Sequence, residues 1–186
     1  MTETVSMVSL IEVTKAYHFT AMKHVNQRRK GVAAEPYINH LTEVAELVAV
    51  ATRGNDIDLV MAAVLHDTIE DTATTIEELA AAFGLRVAEL VAEVTDDKNL
   101  PKPERKRLQI EHAAHASPRA KMIKIADKVS NLRALGSSPP AGWSKARIAE
   151  YVAWATEVVA GCRGVNAWLE SEFDQASKLA HGAERF

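Results

Sequence analysis

Apolar residues recur at three- and four-residue spacing through almost the whole chain, and the strict alternation of a half-buried strand is nearly absent. Such a pattern buries its apolar side chains by packing helix on helix, so the fold class is all-α. It predicts a bundle of about nine or ten helices, near 7–24, 40–53, 56–69, 75–83, 86–94, 103–115, 118–135, 144–162 and 165–181. Local chemistry marks several ends. Gly54 and Gly84 follow periodic runs, where a left-handed residue closes a helix without a Cβ penalty. Thr74 and Glu77 have the spacing of a capping box, and Ser117-Pro118 reads as N-cap then first turn. Lys102-Pro103 marks another start, and the breaker cluster 136–142, GSSPPAG, is expected to be a loop.

A chain of 186 residues with 47% apolar side chains can build one full core, so a single domain over 1–186 is expected. Lys and Arg number 22 against 25 Asp and Glu, a net charge of -3, which provides no global field to draw the chain onto nucleic acid or an anionic membrane. An anionic ligand must be held by local basic clusters. The single cysteine, Cys162, cannot form an intrachain disulfide and is expected to be a small packing residue. No apolar segment approaches the roughly 18 residues that span a bilayer, so the expectation is a soluble cytoplasmic protein.

The sharpest chemical signal is Leu65-His66-Asp67-Thr68-Ile69-Glu70-Asp71, four ionisable groups at the end of an apolar helix. His66 and Glu70 are four apart, as are Asp67 and Asp71, so on a continuous helix each pair shares a face. A dipositive ion would offset the desolvation and mutual repulsion of these groups. For the motif alone, a solvated helix end with its acids facing water is the alternative. Two further positions bear on it. Pro36-Tyr37-Ile38-Asn39-His40 places an imidazole at a helix start, and Asp127 interrupts an apolar stretch, Lys124 to Leu132. Taken singly, His40 is a cap or buried histidine, and Asp127 the partner of Lys124 or Lys128.

The order His40, His66-Asp67, Asp127 resembles the HD superfamily of metal-dependent phosphohydrolases. YINH, AVLHDTIED, VTDDKNLPKPERKR and KIADKVSNL are similar to the hydrolase domain of Rel/Spo-type alarmone enzymes and to their single-domain small alarmone hydrolases of the Mesh1 type, over about residues 10–175. The resemblance implies one Mn²⁺ ion on His40, His66, Asp67 and Asp127, with Glu70 and Asp71 acting on the attacking water. It implies hydrolysis of ppGpp or pppGpp to GDP or GTP and pyrophosphate, without synthesis. It further implies that Arg29 lies near the base and Lys30 near phosphate, with Tyr37, Lys102, Asn131, Arg147 and Tyr151 as substrate contacts.

Two imidazoles and two carboxylates suit Mn, Fe, Co or Zn about equally, so the choice of Mn²⁺ comes from the resemblance. Arg28 and the run Arg105-Lys106-Arg107 read as solvated, Asp96-Asp97 as turn chemistry, and Trp143, Trp154 and Trp168 as core. Ser130 departs from the family pattern, in which an aromatic residue or histidine commonly precedes Asn131. The 136–142 loop is also unusually rich in Pro and Ser. Two other functions stay open: phosphatase action on the 2′-phosphate of NADPH or another nucleotide, and a catalytically silent metal or nucleotide sensor. The Glu70-Asp71 pair argues against the sensor, which has no evident need of it.

Overall fold

The computed structural model describes residues 7–182, so both ends of the expected domain lie outside the described residues. Among the described residues ten helices run in order: α1 Met7–Lys23, α2 Ile38–Ala51, α3 Ile57–Leu65, α4 Thr68–Asp71, α5 Ile76–Phe83, α6 Leu85–Val94, α7 Lys102–Ala113, α8 Pro118–Ser137, α9 Lys145–Ala160 and α10 Ala167–Gly182. Among the described residues, β-type pairing is confined to two isolated bridges, Arg28 with Pro36 and Gly31 with Pro140.

The core is organised around α3. Every residue from Leu59 to Leu65 is buried. A helix apolar on all sides has no face to offer water and takes the centre, with α1, α2 and α6 packed around it. Its N-terminus is capped by Asp56, whose carboxylate accepts from the Leu59 amide at 3.1 Å and from Arg119 Nε at 2.8 Å. On the other side α8 packs against α10, α2, α6 and α9. α10 meets it with Leu169, Phe173, Ala176 and Ala180, spaced four, three and four to form one buried stripe. Cys162 is buried, as a packing residue should be, and burial raises its thiol pKa.

The chain ends α3 where the periodic pattern predicted continuous helix over 56–69. His66 and Asp67 keep right-handed backbone angles, but ψ at Asp67 has opened to 0° before the single turn of α4. The cause lies in the last carbonyls of α3, which accept hydrogen bonds from side chains. Ala63 O accepts from His66 Nδ1 at 2.8 Å, Val64 O from Thr20 Oγ1 at 3.2 Å and Leu65 O from Thr68 Oγ1 at 2.6 Å.

Other ends follow their local chemistry with two corrections. Ser117 caps α8 by accepting from the Ala120 amide at 3.1 Å, and Gly54 and Gly84 have φ of 71° and 88°. The cap of α5 is Thr75, accepting from the Glu78 amide at 3.2 Å, and not Thr74, which is buried against Thr72. Helix α8 also runs on to Ser137, inside the expected 136–142 loop. The stretch just beyond α8 receives the segment that precedes α2: the Val32 amide donates to Pro139 O at 3.2 Å and the Ala33 amide to Ser138 Oγ at 3.0 Å. Gly31 makes the approach possible, since a Cβ there would lie 2.2 Å from Ser138 O.

Candidate active site

The break after α3 turns His66 and Asp67 towards the N-terminus of α2 and the middle of α8. His40, His66 and Asp67 each bring a ligand atom within 4.8 Å of one another, a grouping that could hold a metal ion. Asp127, from α8, borders the same point. Its Oδ1 lies 3.3 Å from His40 Nε2 and 3.9 Å from His66 Nε2, while Asp67 Oδ2 lies 3.7 Å and 3.3 Å from the same two nitrogens.

The hydrogen bonds on the far sides of the rings decide what faces that point. His66 Nδ1 lies against a carbonyl oxygen, which only accepts, so Nδ1 carries the proton. His40 Nδ1 is 2.8 Å from Ser130 Oγ, whose own hydrogen goes to Glu43 Oε2 at 2.7 Å, so this nitrogen also donates. Both Nε2 atoms therefore present lone pairs to two carboxylate oxygens, and buried His66 Nε2 has no hydrogen-bond partner. Four lone pairs converging beside a polar cavity of about 50 Å³ fit a divalent cation.

Each carboxylate is held from outside. Tyr37 donates its hydroxyl to Asp67 Oδ2 at 2.6 Å, and burial followed by that carboxylate raises the phenol pKa. Lys128 Nζ lies 2.7 Å from Asp127 Oδ2, the lysine partner expected of a purely structural aspartate, but it occupies one oxygen only. Asn131 Nδ2 donates to Oδ1 at 2.6 Å. Burial alone would raise the Asp127 pKa, but the charge of Lys128 holds it well below the ordinary value.

Glu70 and Asp71 stand one turn away with opposite electrostatics. Burial, then Asp67, Asp96 and Asp71, push Glu70 up to about 7. Burial also opposes ionisation of Asp71, but Lys98 and Gln27, both hydrogen-bonded to it, bring its pKa below the ordinary value. One carboxyl is thus poised near neutrality while its neighbour stays ionised.

Above this floor opens a pocket of about 1010 Å³ between the 24–37 segment, α2, α7, α8 and α9. All seven residues expected to contact substrate, Arg29, Lys30, Tyr37, Lys102, Asn131, Arg147 and Tyr151, line it. Tyr37 and Asn131 also bond to the acids below, and Arg29 Nη1 donates to Asn131 Oδ1 at 3.2 Å. At Lys102, burial first and then the charges of Lys30, Arg147 and Arg105 lower the pKa, the mark of cations crowded together.

Several expectations are corrected here. Arg105 is not solvated: it lies 3.5 Å from Glu70 Oε1, with a buried Nε. Lys106 also faces the pocket, whereas Arg107 is exposed and pairs with Glu104 and Glu111. Positions 102, 105, 106 and 109 share one face of α7, a helical spacing that could have revealed them. Asp97 does make turn chemistry, accepting from the Asn99 amide at 2.9 Å, but Asp96 faces the pocket and its amide donates to Glu70 Oε2 at 3.4 Å. Trp143 and Trp154 flank Tyr151 along the pocket wall, with Arg147 and Lys106 each 4.6 Å from an indole centroid, and Trp168 is 39% exposed. His24 and Gln27, which no local pattern singled out, reach Asp71 through a hydrogen-bonded pair.

The model of the HD domain family matches residues 16–154. The chain belongs to the HD domain family. An HD domain implies a divalent metal, in agreement with the ligand grouping. This HD chain is 51% identical over 158 residues to the Danio rerio protein named guanosine-3′,5′-bis(diphosphate) 3′-pyrophosphohydrolase MESH1, covering 85% of this chain and 88% of that one. To the Homo sapiens protein of the same name it is 51% identical over 159 residues, covering 86% and 89%. A solved HD structure described as "A metazoan ortholog of SpoT hydrolyzes ppGpp and plays a role in starvation responses" superposes with a TM-score of 0.86 at 46% identity, covering 90% of this chain and 94% of the other. No helix among the described residues is long and apolar enough to cross a membrane.

Proposed function

We propose that this chain is a guanosine-3′,5′-bis(diphosphate) 3′-pyrophosphohydrolase, acting as one HD hydrolase domain on ppGpp and pppGpp in the cytoplasm. The observation that carries the reading is the juxtaposition of a candidate divalent-cation site, a carboxyl poised near neutrality and a pocket wall rich in cations. Relatives that share half of its residues over most of their length are named for this activity.

His40, His66, Asp67 and Asp127 would hold one Mn²⁺ ion. Bound there, the ion would supply Lewis-acid stabilisation of phosphate charge and would lower the pKa of an attacking water. The water oxygen bonds to the phosphorus attached to the ribose O3′, and the O3′–P bond breaks. Glu70, at about 7, accepts a proton from that water at neutral pH. The proton taken up by Glu70 is passed on to O3′, which completes GDP, or GTP from pppGpp, as pyrophosphate leaves. Asp71, held ionised by Lys98 and Gln27, orients the water. Lys30, Lys102 and Arg147 receive the phosphates, and the Trp143-Tyr151-Trp154 wall offers apolar surface to the nucleoside. Tyr37 and Asn131 serve both as pocket lining and as holders of Asp67 and Asp127.

The test offers ppGpp, NADPH and GTP side by side to the Mn²⁺-loaded protein, with products separated by anion exchange. GDP and pyrophosphate from ppGpp, at a kcat/KM at least tenfold above the other two, is the expected result. Preferential release of orthophosphate from NADPH would replace this reading with the 2′-phosphatase one.

A further inference from the structure

Ser130 interrupts the apolar stretch of α8 and is 1% exposed, yet its hydroxyl is doubly engaged. Its Oγ lies 2.8 Å from His40 Nδ1 and donates to Glu43 Oε2 at 2.7 Å. Glu43, one turn along α2 from His40, accepts on its other oxygen from Arg133 Nη1 at 2.9 Å, and Arg133 Nη2 donates to Glu172 of α10 at 2.6 Å. The side chains thus form a directed chain, Glu172, Arg133, Glu43, Ser130, His40, spanning α10, α8 and α2. Its polarity has one sense. Arg133 only donates, so the Glu43 carboxylate only accepts. The serine hydrogen is committed to Glu43, and Ser130 Oγ can only receive the Nδ1 proton of His40.

We infer that Ser130 and Glu43 are positioning residues for the cation site, fixing His40 in the tautomer whose Nε2 lone pair points at Asp67 and Asp127. This rests on the reading of His40 as a ligand. Without the relay, the buried imidazole could carry its proton on Nε2, where Asp127 Oδ1 at 3.3 Å would accept it and close the site to a cation. Partners on the far nitrogen of a ligating histidine typically change metal affinity by 10–100-fold. Ser130 therefore exchanges apolar packing for control of a ring proton.

The experiment pairs metal affinity with a direct view of the ring. Mn²⁺ affinity is measured by competition with a chromophoric chelator for the parent protein, Ser130→Ala, Ser130→Thr, Glu43→Gln and His40→Ala. Imidazole ¹⁵N shifts are recorded on the metal-free proteins at pH 8. Ser130→Ala is expected to lose 10–100-fold in affinity and to move His40 from the Nδ1-protonated form towards the other tautomer. Ser130→Thr, which restores a hydroxyl, should recover both, and Glu43→Gln should weaken binding by less than Ser130→Ala. A merely structural serine would lower Tm and leave affinity and tautomer unmoved, and that result overturns the inference. Should Ser130→Ala not fold, Ser130→Thr and Glu43→Gln decide it: parental affinity and tautomer in Glu43→Gln would overturn the relay. If His40→Ala itself binds Mn²⁺ as tightly as the parent, the ligand set has failed, a result separate from failure of the relay.

Discussion

Glu70 costs the fold something that its neighbours do not recover. Its ordinary value is 4.5 and burial with three nearby acids lifts it to about 7. Below about pH 4.5 it is protonated in both folded and unfolded chains, and the cost is absent. As pH rises from 4.5 towards 7 the unfolded chain releases the proton first, so stability falls through that window and the cost is complete above 7. Glu70→Gln should therefore stabilise the metal-free protein at pH 8 by about 1–2 kcal/mol after allowance for solvent screening, and by nothing at pH 4. Turnover should fall roughly 10²–10⁴-fold with metal affinity retained. Thermal melts of the metal-free forms at both pH values, with kcat of the loaded forms, check this; a destabilised variant with normal kcat would remove Glu70 from its role.

Among the elements, the site hangs on one local departure from regular helix and on one docked segment. The all-α architecture was legible because burial of each apolar face follows the helical period. The break at His66-Asp67 was not, since no Gly or Pro marks it and the side chains that take up the last carbonyls of α3 include Thr20, which reaches across from α1, as well as His66 and Thr68. Helix α8 overran the breaker cluster because Gly136 and Ser137 are tolerated at a helix end, while Pro139 and Pro140 are the true stop. The four acids and imidazoles were readable from order along the chain, but Lys98, His24 and Gln27 reach the site from loops and helix ends that carry no periodic signal. Arg105 was misread because a basic run looks the same whether its face meets water or a pocket. The docked segment gives a test of its own. At Gly31→Ala the new Cβ would sit 2.2 Å from Ser138 O and 2.6 Å from its Oγ, so the segment bearing Arg29 and Lys30 must lift. KM for ppGpp should rise several-fold or more with kcat changed less, as measured by steady-state kinetics. An unchanged KM would mean that the segment does not shape the pocket.

Seen whole, the molecule has a net charge of -3 and still gathers cations on one wall while placing its acids at the floor below. That polarity suits a ligand carrying several phosphates, drawn in by the wall towards the acids and imidazoles that would hold a cation at the floor. Distal phosphates bound alike in ground and transition states contribute to KM more than to kcat. Lys102→Ala and Arg147→Ala should each raise KM on the order of tenfold and reduce its salt dependence, whereas exposed Arg107→Ala should be near neutral. Equal effects from all three in kinetics at low and high salt would contradict a localised phosphate wall. The convergence of His40, His66, Asp67 and Asp127 should make a divalent ion indispensable to phosphate-ester hydrolysis. This is tested most directly by following ppGpp by ³¹P nuclear magnetic resonance with protein stripped of metal, then with Mn²⁺ restored. The stripped protein should show no turnover, with stoichiometric GDP and pyrophosphate on restoration; full turnover with metal removal verified by elemental analysis would mean that hydrolysis needs no ion at this site.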